Sequence, residues 1–311
     1  MRVFVAGASG AIGRRLVPQL VAAAHDVTGT ARSEQKAAAI RAAGARAAIC
    51  DALDAVALRD AVAEAAPEVL VHELTALPDR FNPRNSRIYK ATNRVRSEGT
   101  SNLVDAARAA GARRIVCQSV AFAYAPGARL DVKDEDAPLF LDAPAPFGEG
   151  VRVIEEMERR VLEAGDLEGL VLRYGWFYGP GTHFGDDGAT AQDVRRRRFP
   201  VVGKGTGLFS FIHVDDAAAA TVAGVERGAP GVYNIVDDEP APMRDWLPAY
   251  AEAIGAKRPL RLPVWLVRLA AGRMATVVNV QPGAANTKAK RQLGWEPRWR
   301  SWREGFREAP R

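Results

Sequence analysis

Three glycines near the start of the chain recur at a spacing that suits the binding of a phosphate group. The run over 7–13 reads Gly-Ala-Ser-Gly-Ala-Ile-Gly; a strand-like segment, 3–6, precedes it, and a helical pattern starts at about residue 11. Glycines at such a strand-to-helix turn let backbone N–H groups and the helix N-terminus approach a pyrophosphate. The segment therefore predicts a dinucleotide-binding loop. The predicted contacts are Gly7, Ser9, Gly10, Ala11, Ile12 and Gly13.

The residue that follows the second predicted strand indicates which dinucleotide is bound. In dinucleotide-binding folds an acidic residue at this place commonly binds the adenosine ribose and selects NAD. This chain has Arg32 there, whose planar guanidinium suits a 2′-phosphate and an adenine face. We therefore predict NADP(H) rather than NAD(H), the alternative being a surface arginine at a helix start. Asp51 is predicted to meet the adenine amino group or to cap the next helix, and Ala52 and Leu74 complete the predicted cofactor contacts.

Alternating strand-like and Ala-rich helical segments must position these residues. The predicted strands of the first half are 3–6, 27–30, 47–50, 69–72, 114–118 and 170–173, and the predicted helices start at about 11 and cover about 35–43, 56–65, 94–110 and 151–163. This βαβ rhythm is typical of an α/β fold with a doubly wound parallel sheet, the Rossmann fold. Beyond Tyr174 strands become sparse, with predictions at 209–214 and 232–236 and a helix at 215–226. We predict a dinucleotide-binding domain over 1–174 and a smaller, mainly substrate-binding lobe over 175–311, from which some elements return to the core.

Further motifs extend along nearly the whole chain. They are Val71-His72 with Leu74-Thr75-Ala76, Asn93 with Gly99-Thr100, Gln118-Ser119, Leu172-Arg173-Tyr174, Tyr178-Gly179-Pro180-Gly181, the six residues 211–216 and the segment 288–295. Together with the glycine loop they resemble the extended short-chain dehydrogenase/reductase group, the NAD(P)-dependent epimerase/dehydratase family. The resemblance implies a nicotinamide cofactor, a small polar carbonyl or sugar-like substrate, and pairing of two chains into a homodimer through the helices 94–110 and 151–163. Burial of those helices within one chain is the alternative.

The same resemblance implies a catalytic Tyr-x-x-x-Lys pair at the start of the helix after the fifth strand. Phe147 and Val151 stand at those positions here, with Glu155 in the downstream phase. Phenylalanine has no ionisable proton, and valine can neither hold the nicotinamide ribose by hydrogen bonds nor lower a neighbour's pKa. Shifting the alignment does not restore the pair, because no lysine occurs between Lys133 and Lys204. The chain is therefore predicted to be an atypical member that uses a nonstandard acid.

Five side chains are candidates for the missing proton chemistry. Ser119 ends the fifth strand and is predicted to bind a substrate carbonyl or alcohol, unless it caps local backbone. Tyr124, in the following loop, is the preferred acid, and aromatic packing is its alternative. His72 and Glu73 follow the fourth strand as an acid/base pair, although a rim carboxylate is an equal alternative for Glu73. His183 lies in a Gly-rich loop, and its imidazole titrates in a useful range.

Composition and charge limit the classes of partner. The 311 residues carry a formal charge of +6, with 48% hydrophobic and 26% charged residues, which is ordinary for a soluble globular protein. The arginine run 195–198 is predicted to be a solvated face, with binding of a substrate diphosphate as the alternative, and the tail 298–311 a Trp-anchored packing segment; neither predicts a nucleic-acid partner. The most apolar late stretch, 262–271, contains Arg268 and is far shorter than a membrane span, so no membrane partner is predicted.

Location and metal binding follow from the two cysteines and the first residues. The chain opens on a strand-like segment, so no secretion signal is expected. Cys50 and Cys117 each end a strand-like run and are predicted to be buried thiols rather than a disulfide or a metal site. A cytoplasmic location is the prediction.

Three functions fit these residues. The first is an NAD(P)-dependent oxidoreductase or epimerase-like enzyme with a nonstandard acid. The second is non-redox catalysis on the same scaffold, as an isomerase, cyclase or dehydratase, with Glu73, His72 or His183 as the base. The third is a catalytically silent NADP-binding sensor. We place the redox enzyme first, because hydride transfer depends mostly on cofactor positioning.

Overall fold

The structure is a computed structural model that describes residues 1–77, 86–128 and 131–308, except for the side chains of 86–88. Its first part alternates strands and helices, as predicted. The elements are β1 (Arg2–Ala6), α1 (Gly13–Ala22), β2 (Asp26–Ala31), α2 (Glu34–Ala42), β3 (Arg46–Ile49), α3 (Ala55–Ala65), β4 (Val69–His72), α4 (Ser86–Arg94), a π-helical segment (Val95–Gly99), α5 (Thr100–Ala109), β5 (Arg114–Val120), β6 (Val132–Lys133), α6 (Phe147–Leu162) and β7 (Glu168–Tyr174).

Shorter elements make up the rest of the described chain. They are β8 (Trp176–Tyr178), α7 (Ala189–Arg195), β9 (Val201–Val202), β10 (Leu208–Phe209), β11 (Phe211–His213), α8 (Val214–Glu226), β12 (Gly231–Ile235), β13 (Ala241–Pro242), α9 (Met243–Ala253), β14 (Arg261–Leu262), α10 (Val264–Ala271), α11 (Met274–Val280), β15 (Gly283–Ala284), α12 (Thr287–Leu293) and α13 (Trp302–Glu308).

Seven strands form one parallel sheet in the order β12-β7-β5-β4-β1-β2-β3. The strand order reverses between β1 and β4, which is the topological switch point where such sheets bind ligands beyond their carboxyl ends. The central strands are buried on both faces and therefore read as continuous apolar runs. The predicted doubly wound Rossmann fold is confirmed.

Helices cover both faces of the sheet. On one face, α1, α2, α8 and α12 pack through buried aliphatic side chains such as Leu16, Ile40 and Leu293. On the other face, α3, α5 and α6 pack through Leu58, Leu103 and other buried residues. Because side chains alternate along a strand, each strand residue faces one of these two helix layers.

The second half returns to the sheet and also builds its own aromatic core. Strand β12 forms one edge of the sheet, and helices α8 and α12 pack on its face. Trp246, Phe211 and neighbouring aromatic residues form a separate cluster. Trp302 and Phe306 are buried in that cluster, which confirms a Trp-anchored C-terminal segment up to residue 308. Residues 309–311 of the predicted tail lie outside the described residues.

Three predicted boundaries are wrong. The helix predicted over about 94–110 already begins at Ser86, and its Val95–Gly99 segment is π-helical. The predicted strand 209–214 is divided at Ser210, where the pairing partner changes from β13, beside β10, to β8, beside β11, and it ends at His213 because Val214 begins α8. Helix α6 begins at Phe147, four residues before the predicted start at 151.

Candidate active site

The glycine loop has a geometry that only glycines permit. Gly7 has φ +99°, and a Cβ atom there would lie 2.6 Å from the carbonyl oxygen of Glu73. A Cβ atom at Gly13 would lie 2.3 Å from the Gly7 carbonyl oxygen, to which Gly10 N donates at 2.9 Å. Ile12 is buried, whereas Ser9, Gly10 and Ala11 are partly or fully exposed. The loop therefore forms a backbone cradle at the start of α1, and this cradle fits a pyrophosphate.

The predicted adenosine contacts lie along the exposed edge beyond β2 and β3. Arg32 is exposed and directly follows β2, and Ser33 caps α2 by accepting from Lys36 N. Asp51 is also exposed, with its Oδ1 accepting from Leu53 N at 3.0 Å. The cap of α3 is Asp54, so the capping alternative for Asp51 is wrong.

Two further predicted cofactor residues are held in place by hydrogen bonds to their backbones. The carbonyl of Ala52 accepts from Asn102 Nδ2 at 2.9 Å. Leu74 N donates to His72 Nδ1 at 3.2 Å, and the Leu74 carbonyl accepts from Gln118 Nε2 at 2.7 Å. The segment after β4 is thus fixed beside the glycine loop.

His72 is a neutral, fully bonded histidine. Its Nδ1 accepts from Leu74 N, so Nε2 carries the proton and donates to Thr100 Oγ1 at 2.9 Å. Burial, with a contribution from the Arg96 charge, lowers the pKa of His72 to about 4. Both ring nitrogens are therefore engaged, and His72 orients backbone rather than exchanging protons.

Glu73 is a buried carboxyl group at the carboxyl end of β4, and only 6% of the residue is exposed. Its Oε1 lies 2.9 Å from the hydroxyl of Tyr174, which lies 2.7 Å from Thr221 Oγ1. Its Oε2 is buried and has no hydrogen-bond partner among the described residues. Burial raises the pKa of Glu73 to about 8, so the side chain is a neutral carboxylic acid at neutral pH. The rim-carboxylate alternative is wrong, because the side chain does not face water.

Ser119 faces the protein interior. Its Oγ donates to Glu158 Oε1 at 2.5 Å, and the same carboxylate accepts from Arg173 Nε at 2.9 Å and from Arg173 Nη2 at 2.5 Å. All three side chains are buried. The hydroxyl therefore completes a buried ion pair, and the structure favours a structural role for Ser119 over substrate binding.

Tyr124 belongs to the same buried network. Its hydroxyl donates to Asn234 Oδ1 at 2.7 Å and accepts from Arg173 Nη1 at 2.9 Å. Burial raises the pKa of Tyr124 to about 12, and the nearby Arg173 charge only partly opposes this. A phenol with a raised pKa and two hydrogen bonds is a poor proton donor, so the structure favours the packing alternative.

The start of α6 is apolar where the family's tyrosine and lysine would stand. Phe147 is the first residue of α6 and is half-buried, and Val151 is buried one turn later. A Cβ atom at Gly148 would lie 2.1 Å from the Ala143 carbonyl oxygen, so the helix start is pressed against the preceding loop. Phe147 and Val151 therefore provide apolar side chains but no titratable group.

His183 comes from the other half of the chain. It is half-buried in the loop between β8 and α7, and its carbonyl accepts from Thr190 N at 3.0 Å. The glycine loop and Glu73 meet at the carboxyl end of the sheet, whereas Ser119 and Tyr124 meet on the α6 side of it. Glu73 is bonded to Tyr174, whereas Ser119 and Tyr124 share the network around Arg173, so the predicted catalytic residues do not form one hydrogen-bonded cluster.

Sequence reasoning missed the partners that fix these side chains. Glu158, Asn234 and Thr221 carry no motif of their own, although Arg173 and Tyr174 belong to one. A signal for Ser119 was present: on β5 it has the same parity as Ile115 and Cys117, which face α5 and α6.

Two other searches concern metals and membranes. No group of three or more His, Cys, Asp or Glu side chains is placed to hold a metal ion in the described part of the chain. Cys50 and Cys117 are buried free thiols, as predicted. Among the described helices, none has the length and apolar character needed to cross a membrane.

Comparison with known proteins identifies the family. The profile of the NAD dependent epimerase/dehydratase family matches residues 3–236, which is most of the chain. The chain belongs to this family. It is 48% identical over 309 residues to the 3-diazoavenalumate denitrifying reductase of a Streptomyces species, which covers 98% of this chain and 99% of that protein.

Solved structures of this family share the fold. UDP-glucose 4-epimerase of Thermotoga maritima with UDP-glucose has a TM-score of 0.77 at 22% identity, over 99% of this chain and 97% of that one. Human epimerase family protein SDR39U1 with NADPH has a TM-score of 0.75 at 22% identity, over 99% of both chains. These likenesses show the fold. The family match and the 48% identical reductase together support an NAD(P)-dependent oxidoreductase or epimerase.

Proposed function

We propose that this member of the family is an NADPH-dependent reductase that replaces an arenediazonium group by hydrogen and releases N2. The relative at 48% identity is named for a diazo substrate, for loss of nitrogen and for reduction. The observation that carries the proposal is the apolar start of α6, where Phe147 and Val151 leave no proton donor. A reaction that needs a hydride but no proton at the reacting carbon fits that surface.

The chemistry of a diazonium group explains why the donor is dispensable. In the proposed reaction, a diazonium compound and NADPH give the compound with hydrogen in place of the diazonium group, N2 and NADP+. The substrate carbon gains the hydride that the reduced nicotinamide supplies, the carbon–nitrogen bond breaks, and its electron pair leaves with N2. No oxyanion forms and no proton is taken up, so a Tyr-Lys pair has nothing to protonate.

The residues of this chain then bind, orient and exclude water. The cradle of Gly7, Gly10 and Gly13 would hold the pyrophosphate, and the exposed Arg32 would pair with the 2′-phosphate of NADPH. Phe147 presents an apolar side chain at the place of the usual acid. Exclusion of water protects a diazonium carbon from hydrolysis until the hydride arrives.

The test is reduction of an arenediazonium salt with the purified protein and NADPH. We expect N2 release and NADPH oxidation in a ratio of one to one, with hydrogen in place of the diazo group in the product. Gly10→Asp, which puts a carboxylate into the phosphate cradle, serves as the matched inactive control. NADPH oxidation without N2 release, or equal N2 release by the Gly10→Asp variant, contradicts the proposal.

A second candidate function is carbonyl reduction with Glu73 as the proton donor. One observation favours it: the buried carboxyl group of Glu73 is neutral and lies beside the glycine loop, and its Oε2 has no hydrogen-bond partner among the described residues. Carbonyl reduction needs one proton for the forming alcohol, so Glu73→Gln should abolish it. Diazonium reduction should survive the same substitution within about threefold, because its step takes up no proton.

We propose a homodimer formed through α5 and α6, as the family resemblance implies. The apolar sides of both helices are buried within the chain, and their outward positions are charged, including Asp105, Arg108, Glu155 and Arg159. A dimer there would rest on polar contacts, and light scattering after size exclusion measures it directly.

A further inference from the structure

Helix α10 presents large apolar side chains to solvent. Trp265 is 66% exposed, Leu269 65%, Leu260 just before β14 40%, and Leu266 38%. The helix buries none of its eight residues, and only Val264 and Val267 pack against the aromatic cluster of the second half. A helix with apolar residues on all sides is normally covered, so this exposed side is suited to a partner.

Basic residues flank this apolar side, and the segment that contains it carries no acidic residue. No aspartate or glutamate occurs over 253–295, whereas exposed Lys257, Arg258, Arg261, Arg268 and Arg273 lie close to α10 in sequence. A second basic segment adds to them. Strands β9 and β14 are parallel with Val201 opposite Arg261, so the exposed arginines 196–198 precede β9 as Lys257 and Arg258 precede β14, whereas Arg195 is paired with Asp186. The surface is therefore apolar at its centre and cationic around it.

We propose that this surface, formed by α10 and its flanking basic residues, docks the protein peripherally on an anionic lipid bilayer. Trp and Leu side chains insert at the level of the lipid headgroups, while Arg and Lys bind their phosphates, which is the pattern of interfacial helices. The segment is too short to span a bilayer, but lying on one requires no such length. A second copy of the chain is a poorer occupant, because a symmetric contact would bring five positive charges of each copy together.

The experiment is sedimentation of the whole protein with vesicles at low ionic strength. We expect binding to phosphatidylglycerol vesicles and not to phosphatidylcholine vesicles, with loss of binding at high salt. Trp265→Ser with Leu266→Ser, and separately Arg258→Glu with Arg261→Glu, should each weaken binding more than about tenfold. The matched controls are Val56→Ser and Arg59→Glu on α3, where Val56 is 59% exposed, and these should bind as the unmodified protein does.

A second measurement protects the test from misfolded variants. Brominated phosphatidylglycerol should quench tryptophan fluorescence of the unmodified protein, and Trp265→Phe should remove most of that quenching while NADPH still binds. Three results with vesicles would overturn the proposal: no binding to anionic vesicles at low salt, equal binding to neutral vesicles, or unchanged binding of the α10 variants. A dimer that Trp265→Ser dissociates would also overturn it and assign the surface to a second copy.

Discussion

Glu73 is a buried carboxyl group whose pKa differs strongly from that of an exposed glutamate. An unfolded glutamate titrates near 4.5, whereas burial raises the pKa of Glu73 to about 8 in the folded chain. The folded state therefore binds more protons between these values, and its stability falls as pH rises from about 4.5 to 8. At about 1.4 kcal/mol per pKa unit, the loss amounts to at most about 5 kcal/mol.

Glu73→Gln should remove this pH dependence. Glutamine keeps the shape and cannot ionise, so the variant and the unmodified protein should have similar unfolding free energies near pH 5. Near pH 9 the variant should be the more stable by several kcal/mol, of the order of the shift above. Urea unfolding across this pH range measures the difference, and parallel curves would show that Glu73 ionises in the folded chain as it does in water.

Arg32 makes the choice of cofactor testable at a single side chain. It is exposed and follows β2, where a 2′-phosphate would form charge-assisted hydrogen bonds with it. Such bonds contribute about 1.5–3 kcal/mol, so Arg32→Ser should weaken NADPH binding by about 10- to 100-fold. Affinity for NADH should change little, and Arg59→Ser is the matched surface control. Titration calorimetry with both cofactors checks this, and equal losses for the two would rule out 2′-phosphate recognition.

At the scale of elements, β5, α6 and β7 are locked together by the Ser119–Glu158–Arg173–Tyr124 network. Removing one partner of a buried ion pair leaves a charge without compensation and costs about 3–5 kcal/mol. Glu158→Ala should therefore destabilise the fold by that amount, whereas Glu158→Ala with Arg173→Met should recover part of it. Chemical denaturation gives these free energies. Equal stability of Glu158→Ala and the unmodified protein would contradict the network.

Ser119→Ala separates structure from catalysis within this network. It removes one hydrogen bond to a buried carboxylate, so we expect a loss of about 1.5–3 kcal/mol in stability. The turnover number should stay within about threefold, because the hydroxyl faces Glu158 rather than the cofactor loop. Steady-state kinetics at a temperature where both proteins are folded checks this, and a hundredfold loss of turnover would restore Ser119 as a catalytic residue.

The sequence indicates strands and glycine loops well because their signals are local. Apolar runs of strand length, the Gly-x-x-Gly-x-x-Gly spacing and the motifs of β7 all predict features that the structure contains. Ser119 and Tyr124 were harder, since the residues that engage them, Glu158 and Asn234, are 39 and 110 positions away. Such pairings depend on how α6 and β12 pack on the sheet, and no local pattern encodes them.

For the whole molecule, the distribution of charged residues is more informative than the net charge of +6. Many arginines are paired across the surface, as in the contacts of Arg159 with Glu156 and Glu163. Around α10, by contrast, positive charge and exposed apolar side chains coincide over a stretch without acidic residues. The glycine loop and the α10 surface consist of different residues, so NADPH binding can be measured in variants of the α10 surface, and vesicle binding in variants of the glycine loop.

The central claim is that the reacting carbon receives a hydride and needs no proton from the position of Phe147. It is tested most directly by following hydrogen isotopes during reduction of an arenediazonium salt. With NADPH deuterated on the transferred position of C4, we expect deuterium at the carbon that lost nitrogen; with unlabelled NADPH in D2O, we expect none there. Phe147→Tyr should leave the rate within about threefold. Deuterium from D2O at that carbon, or a large gain in rate on restoring the tyrosine, would contradict the claim.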